Sequence, residues 1–137
     1  MGWLLLSVVL TGCEGFTEPM PDWVANRNPL PACGTEDLRA GGDPDVAART
    51  CLLDAYLAGR GAELIFIDLN ELGAPITSYV RVHENGTIET FMDMPGDGPG
   101  SWERFRCEHL VPAVEARGPL PSGTVFVREG CEMLPIP

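Results

Sequence analysis

The dipeptide Asn85-Gly86, set between the runs 76–84 and 87–93, does most to limit what this chain can become. Both flanks are rich in β-branched and aromatic residues, and Asn-Gly is the strongest short-range signal for a tight β-hairpin turn. A hairpin fixes antiparallel pairing, so neither an all-helical nor a purely parallel design remains open. With a two-residue turn, Val82 should face Glu89 and Val80 should face Phe91 on one side of the sheet. Arg81 would then lie opposite Thr90, and His83 opposite Ile88, on the other side.

The remaining elements fall around that hairpin. The stretch ELIFIDLN (63–70) is apolar on both faces and reads as a central strand, followed by a turn at 70–75. Residues 102–107 and 124–128 are two more strands. Between them, Pro112, Pro119 and Pro121 limit regular structure in 108–122. Upstream a helix is expected, with Asp43 as N-cap, Pro44 at its first position and Asp45 in the first turn. Gly59 ends it. Val46, Thr50, Leu53 and Leu57 make a single stripe along that helix. A helix followed by a run of strands points to an α+β domain, one N-terminal helix on an antiparallel sheet of four to five strands.

The chain begins MGWLLLSVVLTGCEG. From Trp3 to Leu10 it is apolar apart from Ser7. This run is far short of the roughly 20 residues a membrane-spanning helix needs, but it suits the hydrophobic region of a secretory signal peptide. Leu10-Thr11-Gly12-Cys13 resembles the lipobox of bacterial lipoproteins. The resemblance implies cleavage before Cys13, acyl groups on its thiol and on the new amine, and a place in the bacterial cell envelope facing periplasm or exterior. Residues 1–12 would be the signal peptide. Residues 13–32, which include Pro19, Pro21, Pro29 and Pro31, would form the lipidated cysteine and a tether reaching roughly 60 Å at most. Residues 33–137 would be the domain.

The chain has five cysteines, an odd number for an exported protein. Lipid on Cys13 leaves an even set. The four cysteines allow three connectivities. The pairing local in the chain, Cys33 with Cys51 and Cys107 with Cys131, is the one expected. Zinc sites need close ligand pairs such as C-x-x-C, and no two of these cysteines are so close.

Net charge is −11, from 20 acidic against 9 basic residues, and every base is arginine. Such a surface repels nucleic acid and anionic headgroups, so membrane contact is expected through the lipid alone. Lysine is absent, which excludes Schiff-base chemistry and a G-x-x-x-x-G-K phosphate loop. No cofactor is implied.

From 33 to 131 the order of features resembles small bacterial lipoprotein domains of no assigned function: a helix with a cysteine, Pro-Ile-Thr-x-Tyr, a hairpin, an acidic Gly-rich loop, and Trp before Cys. The resemblance implies no activity. Candidate chemistry is sparse. Asp93, Asp97 and Glu103 could hold calcium outside any EF-hand, since Pro95 and Arg104 occupy positions where that loop needs ligands. His109 is the better of two histidines for a hydrolase, but no G-x-S-x-G elbow accompanies it. On a strand, Trp102, Arg104 and Arg106 share one face, with Phe105 and Cys107 turned to the core. Trp with Arg is the composition of a binding hot spot. These features favour a non-catalytic module that binds an envelope protein or polymer. A hydrolase using His109 and a periplasmic enzyme inhibitor are the alternatives.

Overall fold

Eight strands and two helices make up the protein in a computed structural model that describes residues 20–96 and 98–137, the side chains of 96–101 excepted. Cys13 and the apolar leader lie outside the described residues, as does Asp97. The order is α1 (Asp22–Ala25), β1 (Ala32–Asp37), α2 (Val46–Leu57), β2 (Ala62–Leu69), β3 (Pro75–Val82), β4 (Ile88–Gly96), β5 (Gly98–Cys107), β6 (His109–Pro112), a 3-10 turn (Ala113–Glu115), β7 (Phe126–Glu129) and β8 (Glu132–Leu134). Six strands form one sheet in the order β1-β2-β3-β4-β5-β8, and β6 and β7 form a separate two-stranded ribbon.

The class is α+β with two disulfides, as expected, but the sheet is larger and mixed. β1 runs parallel to β2, with α2 as the crossover between them. Its sequence ACGTED is poor in strand-forming residues and exposed along most of its length. It is held by its place at the sheet edge rather than by propensity. Residues 20–32, the latter part of the stretch expected to be a tether, lie on the sheet: Val24 is fully buried against the face that carries Tyr79, Phe91 and Trp102.

Helix α2 starts two residues later than expected. Asp45, not Asp43, is its N-cap and accepts a hydrogen bond from Ala48 N at 2.9 Å. Glu36 of β1 reinforces that end by accepting from Asp45 N at 2.7 Å, a negative charge at the positive pole of the helix. Gly59 closes the other end at φ 66°, with Arg60 N donating to Ala55 O and Gly59 N to Tyr56 O. This is a Schellman cap. The buried face is Ala48, Leu52, Leu53 and Ala55, while Val46 and Leu57 of the expected stripe are exposed. Two alanines bring the helix backbone close to the sheet, and a stripe chosen by bulk alone overlooks them.

The hairpin also differs by one residue. His83 and Thr87 close the turn through His83 N and Thr87 O, leaving three residues in the loop with Gly86 at φ 84°. Val82 therefore pairs with Ile88, Arg81 with Glu89, Val80 with Thr90 and Tyr79 with Phe91. A one-residue shift moves every β4 side chain to the opposite face from the one expected. Leu64, Val80, Val82 and Ile88 now meet Leu52 and Ala55 in the main core, with Cys107 and Leu110 completing it.

Both disulfides have the expected partners. Cys33–Cys51 ties β1 to α2, and Cys107–Cys131 ties β5 to the link between β7 and β8. Each closes a loop of about 20 residues and is worth on the order of 3 kcal/mol in the chain-entropy account.

Candidate functional site

α2 spans 12 residues, about 18 Å, and lies over β1, β2 and part of β3. The ribbon covers the other end of the same sheet face, where Leu110 joins Ile88 and Cys107. Beside these two covers the same face floors a cleft. Phe66, Ser78 and Met92 stand in register on β2, β3 and β4, and with Phe105 of β5 they floor a cleft of about 620 Å³. Leu120 and Pro121 border it on one side, and β7 with the Cys107–Cys131 bridge borders it on the other. This size and apolar lining are those of a small-molecule site.

Two arginines reach the cleft, in different electrical states. Arg49 of α2 is neutralised: its Nη2 and Nε donate to Glu36 Oε1 and Oε2 at 2.6 and 2.8 Å, and its guanidinium lies 5.4 Å from the Phe66 ring centre. Glu36 is only 3% exposed, so this is a fixed bidentate pair. Arg128 of β7 has no such partner. It pairs across the ribbon with the buried Leu110 and so shares that residue's inward face. Its Nη1 donates to Thr90 Oγ1 at 2.8 Å, and no carboxylate of the described residues lies within ion-pair distance. Surrounding protein lowers its pKa by desolvation, although the residue stays open to solvent along the cleft.

The opposite face carries an ionic network in which Arg81 Nε and Arg104 Nε are buried without a hydrogen-bond partner among the described residues. Arg81 is 1% exposed and reaches Glu63 and the Asn28 carbonyl, while its Nε lies 3.4 Å from Glu89 Oε1. Arg27 holds Glu63 through Nε and Nη2 at 2.8 and 2.9 Å. His83 Nε2 lies 2.8 Å from Glu89 Oε1, and Arg104 Nη2 lies 3.8 Å from Glu89 Oε2. Burial alone would raise the Glu63 carboxyl pKa, but the hydrogen bond and charge of Arg27, with Arg81 behind it, hold it below its ordinary value. A small cavity of about 220 Å³ lies beside this network.

The residues singled out from the sequence are scattered. Trp102 is 7% exposed, stacked on Tyr79 at 5.9 Å between ring centres, so its indole is part of the second core. Arg104 belongs to the network, and Arg106 is exposed and paired with Glu132 at 2.9 Å. Asp93 pairs with Trp102 and Glu103 with Met92, which places the two acids on opposite faces of the sheet, where they cannot share an ion. Among the described residues no cluster suited to a metal forms. His109 is exposed on β6 opposite Glu129 and lines neither cavity.

Arg128 was visible only as the end of a strand beside Cys131. Its place over Thr90 depends on the hairpin register and on the ribbon, and neither can be read from spacing. Comparison of the chain with known protein families, curated proteins and solved structures finds no match. Among the described residues no helix is long and apolar enough to cross a membrane.

Proposed function

We propose that this chain is a non-catalytic binding module of the bacterial cell envelope, anchored by lipid on Cys13, and that its ligand lies in the cleft between sheet and ribbon. The observation that supports the binding role is the row Phe66, Ser78, Met92 and Phe105, apolar but for one hydroxyl, which floors the cleft lined also by residues of α2 and β7. Partly buried apolar side chains gathered in a concave site favour a ligand with an apolar body. The ionic face is read as structure, since Glu63 and Glu89 already occupy its arginines. His109, the residue of the alternative hydrolase reading, lies exposed on β6 and does not line this cleft.

Each half of the proposal has its own test. For the anchor, the intact non-reduced mass of the protein from its native membrane should fit a chain starting at Cys13, acylated, and lacking the protons of four thiols. A chain retaining residues 1–12 with Cys13 free would overturn the placement. For the cleft, the neutral fluorophore N-phenyl-1-naphthylamine should brighten on binding the oxidised protein, and Met92→Asp should abolish the response. An equal response from the variant would move the ligand elsewhere.

A further inference from the structure

We propose that the ligand of the cleft is an amphiphilic carboxylate, its apolar body on Phe66, Met92 and Phe105 and its carboxylate on the guanidinium of Arg128. The inference rests on the cleft being the ligand site and adds the chemistry of what fills it.

The argument begins with charge. Acids outnumber bases by 20 to 9 in this chain. Arg27, Arg39, Arg49, Arg81, Arg104 and Arg106 each have a carboxylate within 4.0 Å. Among the described residues Arg60, Arg117 and Arg128 have none, and of these only Arg128 lines the cleft. It is met instead by the hydroxyl of Thr90, a residue with no exposed surface. That bond orients the guanidinium through Nη1. Its Nε and Nη2 have no hydrogen-bond partner among the described residues, and two adjacent N–H groups of this kind match the two oxygens of a carboxylate.

The count of charges selects the head. Arg49 adds nothing to the field because Glu36 takes it in a bidentate pair. Of the two guanidinium groups that line the cleft, one is therefore uncompensated, and it balances one negative charge. A phosphate monoester brings about 1.5 to 2 charges at neutral pH, more than one guanidinium balances. The floor selects the body. From β2 to β5 it crosses three interstrand gaps, roughly 14 Å, which suits an aliphatic chain of about ten carbons.

The test displaces N-phenyl-1-naphthylamine from the full, oxidised chain with decanoate, 1-decanol, decylamine and decyl phosphate. Decanoate should bind at least tenfold more tightly than decanol, and affinity should rise about fourfold per added methylene until the floor is filled. Arg128→Gln should bring decanoate down to the level of decanol while leaving decanol unchanged, which also shows that the variant is folded. Arg128→Lys should keep part of the difference. Equal binding of decanoate and decanol by the unaltered protein would overturn the inference and leave the cleft standing as a site for neutral ligands. Tighter binding of decyl phosphate would overturn it in favour of a dianionic head. Failure of the fluorophore itself to bind would remove both the cleft reading and the inference.

Discussion

Arg81 on β3 and Glu89 on β4 stand directly opposite each other, with Arg81 Nε 3.4 Å from Glu89 Oε1. A two-residue Asn-Gly turn would have placed Glu89 among Val80 and Val82, on the face that α2 covers. A carboxylate buried there without a partner would cost far more than a change of turn type. The three-residue turn instead sends Glu89 to the arginines and Thr90 to the core side, where it meets Arg128. The ion network on one face and the hydroxyl under the cleft on the other are thus consequences of a single register.

Arg81→Met should test the network. It leaves Glu89 with only His83 and the more distant Arg104, so the unfolding free energy in urea should fall by about 3–5 kcal/mol, the usual cost of breaking a buried pair. Replacing Glu89 by Met as well should recover much of that loss, because the uncompensated charge is then gone.

What the sequence could reveal divides along the same line. The strands 63–70, 76–84 and 87–93, the helix around 46–57 and the two cysteine pairs can all be read from local pattern. Register, face and neighbours cannot, because they depend on which whole-sheet alignment buries the fewest charges. Glu89 alternating with Ile88 and Thr90 was the available warning against the two-residue turn. β1 and β8 were missed for another reason: they are short edge strands whose stability comes from a neighbouring strand and a disulfide, not from their own residues. Trp102 was expected on an open face shared with Arg104 and Arg106; it does share that face of β5, but the N-terminal segment that covers the indole there has no periodicity to announce it.

Glu63 should make the fold sensitive to acid. Its folded pKa lies below its unfolded value. The stabilisation it provides is therefore complete above the ordinary carboxylate range and is lost as pH falls through that range toward the lower folded pKa. Thermal unfolding of Glu63→Gln should therefore show a flatter acid limb than the unaltered protein, and the two curves should converge at low pH. Parallel curves would mean that Glu63 does not drive the effect.

Trp102→Ala should reveal a core residue. The indole is stacked on Tyr79 and nearly enclosed, so its loss should cost about 3–5 kcal/mol in equilibrium unfolding, through lost burial and a cavity. Arg106→Ala removes only an exposed pair with Glu132 and should change stability by less than about 1 kcal/mol. Similar small effects from both would return Trp102 to the surface.

Asp45→Ala should cost about 1 kcal/mol by removing the side chain that accepts from Ala48 N. Asp43→Ala, at the position favoured by sequence, should be close to neutral, because Asp43 lies outside the helix and is exposed.

The two disulfides should differ in what they do for the cleft. Both close loops of similar length, with separations of 18 and 24 residues, so removing either as a Cys→Ser pair should cost a comparable amount, on the order of 3 kcal/mol. Their positions are not equivalent. Cys33–Cys51 ties α2 to an edge strand away from the cleft floor. Cys131 follows Arg128 by three residues and lines the cleft itself, and its bridge to Cys107 draws the end of β7 against β5. Without that bridge Arg128 is held over Thr90 by one hydrogen bond and a four-residue ribbon strand. Under conditions where both variants remain folded, Cys107→Ser/Cys131→Ser should lose most of its preference for decanoate over decanol. Cys33→Ser/Cys51→Ser should keep it. Equal loss in the two variants would mean that general stability, not the position of β7, sets the affinity of the cleft.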